Sequence, residues 1–167
     1  MKKNFFIFLS ILSLPLCADS THETLASLDF SIIFLIVMSF VLISVGMLSS
    51  AYALTISLTA YAACEEKNRQ AAFIPAVMPG SQGLYSFAIT FMMIQALETK
   101  PLQVVLAGIV CGLPCLLSAI GQAKTAAACI KSINNEQMDL GQALIATGLP
   151  EMYALTGLAA AFLVLQA

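Results

Sequence analysis

From Phe30 onward the chain reads as four long apolar segments divided by three short polar ones. The apolar segments cover residues 30–63, 71–97, 102–130 and 140–167, and the dividers cover 65–69, 98–101 and 131–139. None alternates apolar and polar positions with the period of two that a half-buried strand requires. Each is longer than the roughly 20 residues that carry a helix across a bilayer. In hydrocarbon the backbone must satisfy its own polar groups, which leaves helices for segments of this kind. The short dividers make neighbours antiparallel. The pattern therefore predicts an all-α membrane protein of four transmembrane helices, arranged as two hairpins over 30–97 and 102–167. Ahead of them, Lys2 and Lys3 precede a 12-residue apolar run at 5–16, too short for a span and in the form of a secretory signal. Residues 1–18 thus read as a signal-like segment, with its cleavage left open, and 19–29 as a short exposed arm.

The hairpins are related to each other. Setting residue n against n+71 pairs Pro79 with Pro150, Leu84 with Leu155, Ala88 with Ala159, Phe91 with Phe162, Gln95 with Gln166 and Ala96 with Ala167. That is six identities in 18 ungapped positions, too many for apolar coincidence alone. Gly80 then stands opposite Glu151, so the duplicated hairpin keeps a carboxylate in one copy only. Small residues recur in the first segment at Gly46, Ser50, Ala53, Ser57 and Ala60. In the third they recur at Gly108, Gly112, Cys115 and Ala119, continuing through Gln122, Ala126 and Cys129. Such residues let membrane helices approach closely. Packing within one chain and an inner ring of many copies would both use them.

Composition agrees with the membrane class: 60% of residues are hydrophobic and 10% charged, against roughly 25% charged in soluble domains. A net charge of −2, with no basic patch interleaved with aromatics, argues against a nucleic-acid partner. Five cysteines form no CxxC pair and read as small buried hydrophobes. His22 reads as a loop residue. No phosphate-binding glycine loop is present, so neither ATP binding nor catalysis is expected of this chain, and no cofactor is expected. With Lys2 and Lys3 in the cytoplasm, Lys67, Arg69 and Lys131 fall on the cytoplasmic side and only Lys100 outside. Lys124 lies within the third segment, where its stem can snorkel.

One residue breaks the apolar pattern at depth. Glu151 is the only charge in the last 28 residues, and it lies about 17 Å along a helix from Leu140. Holding an ionised group there costs at least about 2.5–3.5 kcal/mol, so such a residue faces a partner or an ion. Gln122 and Glu151 stand about 14.5 residues either side of the turn between them, and Gln82 stands as far beyond the turn at Lys67 and Asn68; equal helical rise puts all three at one level. Ser81 adjoins that level, and Tyr85 lies one turn on. A carboxylate, amide carbonyls and a hydroxyl are the oxygen donors that hard cations take. Pro79 and Pro150 loosen their helices, which makes a carbonyl near Met78 a candidate donor. Either glutamine alone is more simply an interhelical hydrogen bond worth about 0.6–2 kcal/mol. Both at the level of Glu151, beside Ser81, predict a cation site.

The segments Met78-Pro79-Gly80-Ser81-Gln82-Gly83-Leu84-Tyr85, Ile120-Gly121-Gln122-Ala123-Lys124 and Pro150-Glu151-Met152-Tyr153-Ala154 resemble the K subunit, or proteolipid, of bacterial V-type rotary ATPases. The similarity runs from about Gly46 to Ala167. It implies a rotor-ring subunit of the bacterial cytoplasmic membrane, carrying one cation per chain, with Na+ favoured by the polar set and H+ possible, during rotation coupled to ATP hydrolysis or synthesis. It also implies copies of itself, a stator membrane subunit with an arginine, a central stalk and the lipid bilayer as partners. The residues matched to the family's sodium site are Glu151, Gln122, Gln82, Ser81 and the Met78 carbonyl, with Tyr85 bonding the carboxylate. Ser81 replaces the usual threonine. Two other readings stay open on the residues alone: a structural or assembly protein whose polar groups join helices, and a small secondary cation carrier.

Overall fold

The computed structural model describes residues 30–167; the signal-like segment 1–18 and the arm 19–29 lie outside the described residues. Five α-helices follow in order: α1 (Phe30–Ala62), α2 (Arg69–Val77), α3 (Ser81–Ala96), α4 (Pro101–Asn134) and α5 (Leu140–Gln166). Among the described residues, α1, α4 and α5 are each long and apolar enough to cross a membrane. This is a helical membrane protein.

The second apolar segment departs from the single helix expected of it. A 3-10 turn over Met78–Gly80 divides it into α2 and α3. Pro79 removes one backbone donor, and Pro75, four residues earlier, lies inside α2. The carbonyls at the break are met from outside the segment: Ser57 Oγ of α1 donates to the Ala76 oxygen at 2.6 Å, and Ser50 Oγ to the Pro79 oxygen at 2.8 Å. Two side-chain hydrogen bonds thus hold the kinked backbone against α1.

Helix α4 is the centre of the molecule, packing against α1, α3 and α5. Its small-residue seam lies against that of α1, and Gly46, Ser50, Ala53, Ser57, Gly108, Gly112, Cys115, Ala119 and Ala126 are all buried. The approach is close. A Cβ added at Gly112 would stand 3.0 Å from Leu42 Cγ and 3.2 Å from the Ile43 nitrogen. The heptad pattern of small residues therefore packs helices within one chain. Outside, Phe34, Val37, Val41, Leu48, Phe87, Leu117 and Leu163 are exposed, as a surface turned to lipid or to further copies requires. Cys64, Cys111, Cys115 and Cys129 are free and buried, as their apolar surroundings predict.

The polar turns at one end are joined. Asn134 Oδ1 accepts from the Glu65 nitrogen at 2.8 Å and the Cys64 thiol at 3.3 Å, and Asn68 Nδ2 donates to the Asn134 carbonyl at 3.3 Å. Lys67 Nζ pairs with Glu136 at 2.5 Å and Glu65 at 3.5 Å. The hydrogen bond and charge of Lys67 hold the Glu136 carboxyl below its ordinary value, and the same contact with Glu136 raises Lys67. Glu136 adopts φ 59°, which turns the chain sharply out of α4. Helix α5 then starts on a capping box: Asp139 Oδ1 accepts from the Gln142 nitrogen at 2.8 Å, while Gln142 Oε1 accepts from the Asp139 nitrogen at 3.4 Å.

A carboxylate site between three helices

Three helices bring their polar side chains to one place. Gln82 and Tyr85 come from the first turns of α3, Gln122 from the buried face of α4, and Glu151 from the middle of α5. The placement of α3 follows from the break at Pro79. Ser81 starts the new helix, so Gln82 and Tyr85, three residues apart, lie on neighbouring positions of its first turn.

The carboxylate is held on both oxygens. Tyr85 Oη donates to Glu151 Oε1 at 2.6 Å, and Gln122 Nε2 reaches Glu151 Oε2 at 3.4 Å. The same amide nitrogen donates to the Thr147 carbonyl at 2.8 Å, one turn before Glu151 on α5. The Gln122 oxygen accepts from Gln82 Nε2. Gln82 and Gln122 are completely buried, and Glu151 and Tyr85 are half-buried. This arrangement uses both ends of Gln122 and the nitrogen of Gln82. It leaves Gln82 Oε1 as a buried oxygen with no hydrogen-bond donor among the described residues. A buried acceptor of this kind costs about 1–3 kcal/mol unless something positive meets it.

Ser81 and Met78 stand at the edge of this group, with the Ser81 hydroxyl in hydrogen-bond reach of Tyr85. Ser81 Oγ donates to the Met78 carbonyl at 3.0 Å, and that carbonyl also receives the backbone N–H of Ser81. The freedom expected of a carbonyl near Met78 is therefore absent. The 3-10 turn closes an i to i+3 bond where the α-helical bond is lost, so the oxygen keeps a donor. Met78 contributes in another way: its sulfur accepts from Thr147 Oγ1 at 3.0 Å.

Thr147 is the member that the sequence reading did not single out. It is fully buried, its carbonyl orients Gln122, and its hydroxyl reaches both Met78 and the Ala143 carbonyl, the latter at 2.7 Å. The one signal for it was its position four residues before Glu151, on the same helix face. Elsewhere on the surface, α4 and α5 leave an open apolar groove of about 690 Å³, with Pro114, Leu117, Ser118, Pro150 and Tyr153 among its walls and none of the site residues lining it. Among the described residues no three His, Cys, Asp or Glu side chains gather, so the site has one carboxylate and neutral oxygens around it.

Comparison with known proteins adds two findings. Residues 105–164, which hold Gln122, Thr147 and Glu151, match the family of the ATP synthase C subunit. The chain is also 35% identical over 89 residues to the A-type ATP synthase subunit K of Methanocaldococcus jannaschii, an overlap of 53% of this chain and 40% of that relative. The chain thus spans about 40% of the length of the curated relative it matches. These matches bear out the resemblance to V/A-type ATPase proteolipids read from the sequence.

Proposed function

We propose that this chain, a relative of the V/A-type ATPase proteolipids, is a membrane rotor-ring subunit that carries one monovalent cation at Glu151. The observation that carries the proposal is the clamped carboxylate of Glu151, linked through Gln122 to Gln82, whose amide oxygen is buried and undonated. One carboxylate among neutral oxygens is cancelled by a single positive charge; a divalent ion would leave a net charge in hydrocarbon, which is strongly disfavoured. Na+ suits the oxygens of Glu151, Gln82 and Gln122; Ser81 Oγ and the Met78 carbonyl complete the set once Ser81 turns its hydroxyl proton away from that carbonyl. A half-turn of either amide exchanges its nitrogen and oxygen, so the glutamines can present carbonyls to a cation. H+ needs only the carboxyl and its hydrogen bond from Tyr85.

Loading neutralises Glu151 and lets the subunit pass through lipid. At a stator membrane subunit, a fixed arginine takes the place of the cation and separates inlet from outlet. The exposed apolar surface of α1, α4 and α5 is covered by lipid and by copies of the same chain in a ring of the cytoplasmic membrane, with the polar turns toward a central stalk. ATP is handled elsewhere in such a complex, and the chain itself catalyses nothing.

Replacing Glu151 with Gln removes the titrating group and preserves the shape. Ring assembly is expected to persist while coupled ion transport is lost; transport retained by that variant would refute the proposal. Carbodiimide labelling of Glu151 at fixed pH distinguishes the cargo, since sodium protects a sodium carrier and is without effect on a proton carrier. A mild-detergent mass measurement giving a monomer or dimer instead of a large homo-oligomer would favour a helix-joining or secondary-carrier role.

A further inference from the structure

Helix α4 carries one charge inside its apolar body. From Pro101 to Ile130 the only charged residue is Lys124, and its side chain is exposed on the outer face of the helix. An ionisable residue in a membrane span calls for a named partner. Of the other described basic residues, all but Lys131 have theirs. Lys67 pairs with Glu136 and Glu65, Arg69 reaches the Cys64 carbonyl at 3.5 Å, and Lys100 donates to the Leu165 and Gln166 carbonyls at 3.3 and 3.1 Å. The side chains of Lys124 and Lys131 have no ion-pair or hydrogen-bond partner among the described residues.

These two lysines share a face. Seven residues apart, they lie about 20° apart around the helix and about 10.5 Å apart along it. The same stripe continues away from the polar turns through exposed Leu117, Leu113 and Leu106. Beside it, at the polar end, a groove of about 310 Å³ opens between α1 and α4, with Ala60, Ala63, Ala127 and Ile130 in its walls and Lys131 among its lining residues. With 34 residues, α4 is about 51 Å long against about 30 Å of hydrocarbon, so its polar end stands clear of the acyl region. Lys131, three residues from the end of α4, then falls among the headgroups, and Lys124, about 10.5 Å deeper, reaches them by extending its side chain toward the polar end.

We propose that this face binds an anionic phospholipid, its phosphate between Lys124 and Lys131 and its acyl chains along the leucine stripe. Basic grooves between membrane helices at the headgroup level select anionic lipids in this way. Snorkelling would satisfy one lysine standing alone. It does not account for two unpaired cations in line with an apolar track and flanked by a groove walled by small side chains. A free phosphate would use the cations and leave the track without a role. The proposal does not rest on the ion-carrier reading, because none of its residues touches Glu151.

The test uses the full chain, purified as the assembled oligomer and equilibrated with vesicles of equimolar phosphatidylglycerol and phosphatidylcholine. Retained lipid is then quantified by mass spectrometry after re-extraction. The unaltered protein is expected to enrich phosphatidylglycerol. Each lysine-to-glutamine change is expected to cut that enrichment about fivefold, and K124Q/K131Q together about thirtyfold. K124R should keep it. Should the double variant fail to assemble, raising the salt on the unaltered protein gives the same readout, because the attraction is screened. Equal retention of the two lipids, enrichment unchanged in the double variant or at high salt, or complete displacement by inorganic phosphate would each overturn the proposal. Carbodiimide labelling of Glu151 should be the same throughout.

Discussion

The hydrogen bond from Tyr85 to Glu151 can be deleted with very little other change. Tyr85→Phe removes one oxygen and keeps the ring, which is half-buried against the core formed by Ile89, Cys111 and Cys115. The lost bond measures 2.6 Å and ends on a carboxylate oxygen. Hydrogen bonds to charged groups contribute about 1.5–3 kcal/mol net. If the phenol holds the carboxylate in its cation-binding position, the half-protecting sodium concentration in a carbodiimide assay rises about 10- to 150-fold in Tyr85→Phe. Oligomer mass and melting temperature should stay near those of the unaltered protein, because no apolar contact is removed. The same substitution made in a Glu151→Gln background gives the coupling directly: a neutral partner leaves only about 0.5–1.5 kcal/mol to lose, so the oligomer's stability responds weakly there. Superimposable sodium-protection curves for the unaltered protein and the Tyr85→Phe variant would refute the reasoning, since the contact would then contribute nothing to loading.

Glycines in α5 should divide by their surroundings. Gly157→Ala would set a Cβ 2.9 Å from both Pro114 Cγ and the Val110 carbonyl, and overpacking of this kind costs about 1–3 kcal/mol in a thermal melt. Gly148→Ala meets nothing within 4 Å and is expected to be neutral or to stabilise by up to about 1 kcal/mol; equal losses at the two positions would show that their packing has been misread. Asp139→Ala removes the cap of α5 and should lower stability by about 0.5–2 kcal/mol, checked by denaturant titration in detergent. Lys67 holds the Glu136 carboxyl below 4.5, so its small stabilising effect is present above that pH and is lost as the pH falls through the lower folded value. Glu136→Gln should therefore make the acid side of the stability profile shallower, and an unchanged acid slope would discount the pair.

Element positions were legible in the residue order, and hydrogen-bond directions were not, for reasons that particular residues make plain. Apolar run length locates α1 to within one residue at its end, because nothing but hydrocarbon selects that stretch. It stops α4 four residues early, at Ile130, because Lys131–Asn134 remain helical after the apolar requirement has ended. The proximity of Gln82, Gln122 and Glu151 was accessible from helical rise alone, since each is counted from a turn that the charges mark. Whether Gln122 donates or accepts depends instead on the Thr147 carbonyl, a backbone atom that no side-chain pattern reveals. The state of the Met78 carbonyl likewise depends on a 3-10 turn, and hydropathy is blind to turn type.

The two copies of the repeat use the same proline differently. Pro79 and Pro150 align in the 71-residue register, yet the chain breaks at the first and runs on as one helix through the second. The local sequences contribute, with Pro75 and Gly80 flanking the first break. The larger difference lies in the facing helix. Opposite Pro79, α1 offers the hydroxyls of Ser57 and Ser50, which accommodate the geometry of a broken helix by bonding its carbonyls. Opposite Pro150, α4 offers Gln122, whose amide takes the Thr147 carbonyl and keeps the helix continuous. Gly80, the position equivalent to Glu151, is closed off as well: a Cβ there would lie 3.2 Å from Leu54 Cδ1. A carboxylate restored at 80 would therefore need Leu54 to move. The first hairpin has turned its proline into a joint that aims Gln82 and Tyr85 at the second hairpin's acid, and that use is incompatible with holding an acid of its own.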